Sequence, residues 1–450
     1  LHRRPISAWP ALLVCAALVS FAGKATLALT TYGSNDVLTW EADLAKIRSD
    51  GALALYRDGI VLYHGAVPYH SEVFNHPPFM VRVISLWGWL ADVSGLPLRF
   101  WLRLTSAIAD LASLLLAGRI LRRWAPLVMM ALAPVSLFVS GFHGNTDPIM
   151  IALLLLSVYL IAEGRPDWTA GAALGMALSI KIVPVLFLPA FYFFLRGRRR
   201  RLEFLASAAA VFVAASLPFI FMNPVLILKN IFTYGSNFGF WGFPIIAAAV
   251  KFKTGFQWLP SIYALTAKFA MIWLLAVAAI WMNASGRKPP LFLQCAFLAV
   301  CTIFLTPGFG VQYLAWLVPW TVCLRPWQAF TFHLTSGTFL FAYYNGLCGG
   351  MPWRLADSVG KIAWSGPVVH LGLVCWLATG VMAVFCARLI LRSNTRTSTA
   401  PYAARRVCAN PAPARNCESQ ETQAGPENDR RAITAMVSRP GSNPAASRST

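Results

Sequence analysis

Long apolar runs broken by short polar stretches dominate this chain. Runs lie at residues 9–31, 98–118, 124–141, 148–162, 168–183, 184–195, 202–222, 259–282, 290–306, 311–324, 328–344 and 367–391. A helix needs about 20 mostly apolar residues to cross a bilayer. The runs approach that length, the shorter ones with soft ends, and predict about twelve transmembrane helices. Residues 79–93 are apolar too, but they number 15 and carry Arg82 and Asp92. They read as a helix lying at or dipping into the membrane interface. Residues 32–97 then form one outer segment of 66 residues, the longest between spans. The pattern predicts an all-α polytopic membrane protein with a large first outer loop carrying juxtamembrane helices. Residues 393–450 are rich in Pro, Ala, Ser, Thr and Arg and lack apolar periodicity. They are expected to be a disordered tail behind a membrane domain at 1–392.

Composition sharpens this picture. Of 450 residues, 57% are hydrophobic and 12% charged, and the mean hydropathy is +0.59. A soluble domain carries roughly 25% charged residues. The net charge of +21 would suggest nucleic acid in a soluble protein; here it marks orientation. The basic clusters are Arg3/Arg4, Arg119/Arg122/Arg123, Arg196 with Arg198, Arg199, Arg200 and Arg201, Arg287/Lys288, and Arg325. With twelve spans all of them fall on the side of the N-terminus, which the positive-inside bias makes cytoplasmic. The C-terminal tail falls there too. The first apolar run is read as an uncleaved span. The excess of Arg over Lys points to a GC-rich genome and so to a bacterial inner membrane. Nine cysteines show neither zinc spacing nor an outer pair that could close a disulfide.

The acids carry the chemistry. Of 17, seven fall in the first outer segment: Asp36, Glu41, Asp43, Asp50, Asp58, Glu72 and Asp92. Asp36 directly follows the first span and precedes an amphipathic stretch in which Trp40, Leu44 and Ile47 share a face. Two readings of Asp36 stand: an N-cap for that helix, or a general base at the membrane surface. Further along come Tyr56, Tyr63, Tyr69 and Asn75-His76-Pro77-Pro78, interfacial anchors or the lining of a sugar site. The short loop Gly141-Phe142-His143-Gly144-Asn145-Thr146-Asp147-Pro148 places polar groups between apolar helices, where they are expensive unless used. Asp147 suits the N-cap of the helix that follows, with Pro148 at its first position. Lys181, near the outer end of its span, either snorkels to headgroups or meets an anion. Gln312 and Tyr313 open a later span, with Trp316 one turn on. Asp110, inside a span, is the acid that a transporter or flippase would need.

In order and outer placement, these motifs resemble the GT-C superfamily of membrane glycosyltransferases. The carriers are Asn35-Asp36, the run from Gly51 through Tyr56, Gly59 and Tyr69 to Asn75-His76-Pro77-Pro78, Gly144-Asn145-Thr146-Asp147, Lys181-Ile182-Val183-Pro184 and Gln312-Tyr313-Leu314-Ala315-Trp316. The resemblance implies a polyprenyl-phosphate sugar donor and inverting transfer of a hexose, mannose first, to a hydroxyl of a glycan, glycolipid or protein. It implies Asp36 as base, and Asn35, His76, His143, Asn145, Asp147, Lys181, Gln312 and Tyr313 as substrate-binding residues. Lys181 and His143, then Arg354, are the candidates for stabilising the leaving phosphate. Some relatives hold a metal on an acid-x-acid motif. Asn145-Thr146-Asp147 replaces it here, so no cofactor is expected beyond the lipid-linked donor. Membrane lipids and glycosyl acceptors are the expected partners, and nucleic acid is not.

Overall fold

The computed structural model describes residues 9–64, 67–233, 241–256, 258–284, 289–357 and 366–393. The expected tail at 393–450 lies outside them apart from Ser393. The chain is an all-α polytopic membrane protein with little sheet. Its first part comprises α1 (Trp9–Thr30), β1 (Gly33–Ser34), α2 (Asn35–Asp50), α3 (Ala52–Asp58), β2 (Ile60–His64), β3 (Val67–Glu72), α4 (Phe79–Ser94) and α5 (Leu98–Leu121). Next come α6 (Trp124–Ala131) and α7 (Pro134–Ser136), the latter widening into π-helical turns over Leu137–His143. After these follow α8 (Asp147–Ala162), α9 (Asp167–Ile180), a 3-10 segment Val183–Phe187, α10 (Leu188–Phe194), α11 (Arg198–Ser216), α12 (Phe219–Met222) and α13 (Pro224–Thr233). The last part holds α14 (Phe243–Thr254), α15 (Trp258–Ala284), α16 (Leu291–Leu305), a 3-10 helix Val311–Cys323, α17 (Pro326–Cys348), β4 (Leu355–Ala356) and α18 (Gly366–Arg392).

Among the described residues, five helical stretches are long and apolar enough to cross a membrane: Pro10–Thr30, Leu98–Leu121, Trp124–His143, Pro260–Ala284 and Gly366–Arg392. Of the other predicted spans, those on α11 (19 residues) and α17 (23 residues) are long helices that are too polar to count, and the rest are shorter or broken helices, several of them packed against protein. That setting tolerates irregular backbone, because neighbouring segments satisfy what lipid cannot. Val311–Cys323 shows how a short run still reaches far. It holds 13 residues as 3-10 helix, with Pro319 inside and Leu314, Leu317 and Trp320 fully buried. At about 2.0 Å rise per residue it extends roughly 26 Å.

One end of the bundle gathers the polar loops. The C-termini of α1, of the π-helical turns, of α9 and of α17 meet there with the N-termini of α2, α5 and α8. The basic residues Arg119, Arg122, Arg123, Arg198 to Arg201 and Arg325 sit at the opposite ends of α5, α11 and α17. Arg123 there donates to the Val322 carbonyl at 2.8 Å. Helix α4 stays with the polar loops at both ends. It follows His76, runs beside α2 with Trp87 against Trp40 and Arg48 on Asp92 at 2.6 Å. It then hands over to α5, whose Arg99 reaches Glu41 of α2. Both ends of residues 79–93 therefore lie at the polar end, as an interfacial helix requires.

Within the bundle Asp110 is tied down. Its Oδ2 receives Lys24 Nζ at 2.8 Å and Ser140 Oγ at 2.5 Å, with Ser136 donating as well. The buried charge of α1 thus meets its counterion on α5.

Candidate active site

The site grows from the short linker between α1 and α2. The Tyr32 and Gly33 amides donate to the Arg354 carbonyl at 2.7 and 3.2 Å, and β1 pairs in parallel with β4. Gly33 has φ of 110°, and a Cβ there would stand 2.8 Å from the Phe142 carbonyl. Only glycine suits that approach. Ser34 then caps α2, its hydroxyl taking the Asp36 amide at 3.2 Å and donating to the His143 carbonyl at 2.7 Å. Asp36 is therefore not the N-cap. Its side chain is released to face the loop between the π-helical turns and α8.

That loop supplies two donors. Asn145 Nδ2 donates to Asp36 Oδ2 at 2.6 Å, and His143 Nε2 lies 3.0 Å from the same oxygen. The Asp36 side chain keeps 34% of its surface exposed. Its Oδ1 makes no hydrogen bond among the described residues and is free to meet a substrate. Gly144, at φ of 84°, lets the loop pass Val37, whose Cγ2 would be 2.4 Å from any Cβ.

Asn145 also organises the start of α8. Its Oδ1 accepts the amides of Thr146 and Asp147 at 2.7 and 3.2 Å. This corrects the expected N-cap role of Asp147, which is the first residue of α8. The Asp147 carboxylate, fully buried, instead takes Lys181 Nζ on Oδ1 at 2.6 Å, and its Oδ2 has no hydrogen-bond partner among the described residues. Lys181 does not snorkel to headgroups. It sits where α9 ends and the chain turns extended. Its ammonium lies 5.6 Å from the centre of the Tyr313 ring. Tyr313 in turn stacks on Trp316 at 4.4 Å. His76 completes this side, its Nδ1 3.4 Å from the Ile180 carbonyl and its ring 4.9 Å from Trp40.

The electrostatics favour an ionised Asp36. Burial pushes its carboxyl up, but His143, Asn145 and Lys181 together outweigh burial and hold it at about 2. Burial, reinforced by the Lys181 charge, lowers His76 to about 3, so it is neutral. Seven residues beyond Asp36 on α2, Asp43 is 3% exposed. Burial first, then the charge of Glu72, push its carboxyl well above the usual range. Below about pH 4 folded and unfolded chains both hold this proton; as pH rises the unfolded chain releases it first, so stability falls. Asp43→Asn is therefore expected to raise the unfolding midpoint in detergent at neutral pH and to leave it unchanged near pH 4. An equal gain at both pH values would assign the effect to packing.

The structure thus brings Asp36, His143, Asn145, Asp147, Lys181, Tyr313 and His76 around one space. Asn35 opens α2 beside them. It does not bring Gln312 onto Asp36; that side chain folds back over Gly310. Two residues had escaped the sequence reading. Tyr344 of α17 places its hydroxyl 2.9 Å from His143 Nδ1. Arg103 of α5, fully buried, donates to the carbonyls of Ala28 and Thr31 at 2.9 and 2.8 Å and reaches that of Phe142. It locks the end of α1 to the loop bearing His143. An Arg inside an apolar span was the available signal for it. Tyr344 gave none, being one aromatic residue among many.

The chain is similar, at 28% identity over 184 residues, to the polyprenol-phosphate-mannose-dependent alpha-(1-2)-phosphatidylinositol mannoside mannosyltransferase of Mycobacterium tuberculosis, across 36% of this chain and 42% of that protein. It is similar, at 36% identity over 97 residues, to the Dol-P-Man:Man(5)GlcNAc(2)-PP-Dol alpha-1,3-mannosyltransferase of Mus musculus, across 21% of this chain and 22% of that protein. The aligned stretches span less than half of either relative. Residues 74–307, more than half of the chain, match the sequence model of Glycosyltransferase family 87 and carry His76, His143, Asn145, Asp147 and Lys181 from the cluster around Asp36; the protein belongs to that family.

Proposed function

We propose that this chain is an inverting mannosyltransferase that takes its sugar from a polyprenyl-phosphate donor and delivers it to a hydroxyl of a glycolipid. The observation that carries the reading is Asp36: ionised, clamped through Oδ2, and open at Oδ1 where the bundle meets its polar loops. The acceptor hydroxyl attacks the anomeric carbon from the face opposite the phosphate. The bond from that carbon to the phosphate oxygen breaks, and its electron pair leaves with the lipid phosphate. The proton passes to Asp36 Oδ1. So acidic a carboxylate is a weak base, and it takes the proton late, once the attacking oxygen has gained positive charge.

The leaving phosphate needs positive charge nearby. Lys181 supplies it from beside Asp36, although Asp147 shares its ammonium. Arg354 is a second source: its carbonyl staples residues 32 and 33 while its side chain is exposed. His143, once a candidate for the phosphate, serves Asp36 instead. Tyr313 and His76 line the sugar side, and Gln312 borders it. Because the Lys181 ammonium already occupies Asp147 Oδ1, transfer is expected to need no divalent metal. The basic helix ends opposite the site support a reading in which the chemistry lies on the non-cytoplasmic face of a bacterial inner membrane and both termini are cytoplasmic. A transporter reading loses its main residue, because Asp110 is committed to Lys24, Ser136 and Ser140.

The test uses the purified full chain in lipid nanodiscs, with polyprenyl-phosphate mannose or glucose and a mannosylated glycolipid. Mannose transfer with inverted anomeric configuration, unchanged by EDTA, is expected. Transfer from a nucleotide sugar but from neither lipid donor would overturn the donor assignment, and retained configuration would overturn the mechanism. Loss of transfer in EDTA, restored by a divalent cation, would overturn the metal-free reading.

A further inference from the structure

An ionised carboxylate can only accept hydrogen bonds. Asp36 Oδ2 already takes Asn145 Nδ2, so the 3.0 Å contact with His143 requires a proton on Nε2. In a neutral imidazole the other nitrogen, Nδ1, is then bare and needs a donor. It lies in buried surroundings. The rings of Phe142 and Trp353 close around Tyr344, at 5.4 and 5.7 Å, and Phe138 stands at 6.3 Å. Both His143 and Tyr344 are buried, at 5% and 0% exposure. The Tyr344 hydroxyl is the group facing Nδ1, at 2.9 Å, and it arrives from a helix 201 residues further along the chain.

We propose that Tyr344 is a positioning residue: its hydroxyl donates to His143 Nδ1, fixes the tautomer with hydrogen on Nε2, and thereby holds Asp36 with Oδ1 facing the substrate. This rests on the reading of Asp36 as base. The hydroxyl also serves the charged ring. If His143 gains a proton during the reaction, the hydroxyl rotates and accepts from Nδ1, so neither state is left unsatisfied. Without it, a bare Nδ1 faces aromatic rings. A switch of tautomer would then turn the Nε2 lone pair on the Asp36 carboxylate, two acceptors 3.0 Å apart. The charged and titratable groups around Asp36 are His143, Lys181 at the end of α9, His76 ahead of α4, and Tyr343 and Tyr344 on α17.

Nitrogen-15 histidine NMR on the full chain in nanodiscs reads this without any substrate, the His143 signals being those lost in His143→Gln. The wild type is expected to show a protonated Nε2 and an unprotonated, hydrogen-bonded Nδ1. Tyr344→Phe, which keeps the ring packing, is expected to mix the tautomers. In transfer it should lower kcat by roughly 10- to 100-fold, leave KM for the donor unchanged, and bring an acid limb into the measurable pH range. A wild-type spectrum with hydrogen on Nδ1, or a Tyr344→Phe protein with unchanged His143 signals and kcat, would overturn the proposal. The wild-type spectrum decides even if the variant does not fold. If the wild type transfers no lipid-phosphate sugar, the reaction assignment falls and the spectrum still decides the tautomer.

Discussion

Asp36→Asn is expected to lower the rate of sugar transfer by about 10²- to 10⁴-fold, the usual worth of a general base. The substitution keeps the shape of the side chain. Its amide oxygen can still accept from Asn145 and His143, so the loop holding the site should stay in place. What disappears is a group able to take a proton. KM for the donor should change little, because in the proposed mechanism Asp36 meets the acceptor rather than the phosphate. Steady-state kinetics and a thermal unfolding curve on the same preparation check this. A variant that folds normally and transfers at the wild-type rate would remove Asp36 from the reaction. The pH dependence follows from the same geometry. Asp36 is held at about 2, and the working form is the ionised one. It is lost only as pH falls through that value, so between pH 8 and 5 the rate should not decline on account of this group.

The architecture was legible in the sequence because a bilayer leaves few options. Apolar runs must become helices, and those runs are where the helices stand. Residues 79–93 form a helix of their own, α4, as the apolar run suggested. The candidate site was legible as a set of residue types in order, most of which the structure gathers around Asp36. Its wiring was not. Asn145 takes the capping role that local pattern gives Asp147, since capping goes to the residue whose side chain can fold back onto two amides, while Asp147 is claimed by Lys181 from the end of α9. Ser34 likewise takes the capping position that Asp36 would otherwise fill. Spacing along one helix cannot reveal such competition, because the deciding partner lies in another. Tyr344 and Arg103 mark the same limit: each acts on the site across a long stretch of chain, and neither belongs to a local motif.

Breaking the pair of Lys181 and Asp147 should give the second large effect. Asp147 has no exposed side-chain surface, and Lys181 keeps 13%. Removing either partner alone strands a charge, which costs about 3–5 kcal/mol in a buried pair. Asp147→Ala and Lys181→Met are each expected to lower the unfolding midpoint markedly and to abolish transfer. Those results alone would not separate scaffold from chemistry. The double variant Lys181→Met with Asp147→Asn does so, because it removes both charges and keeps the volume. Replacing a buried pair by neutral groups is often close to neutral for stability, so its midpoint should return near the wild-type value. Transfer should not return with it, because the ammonium beside Asp36 that the proposed mechanism sets against the leaving phosphate is gone. The loss should appear in kcat/KM for the lipid-phosphate donor. Recovery of both stability and transfer would make Lys181 a structural charge and leave Arg354 to carry the phosphate.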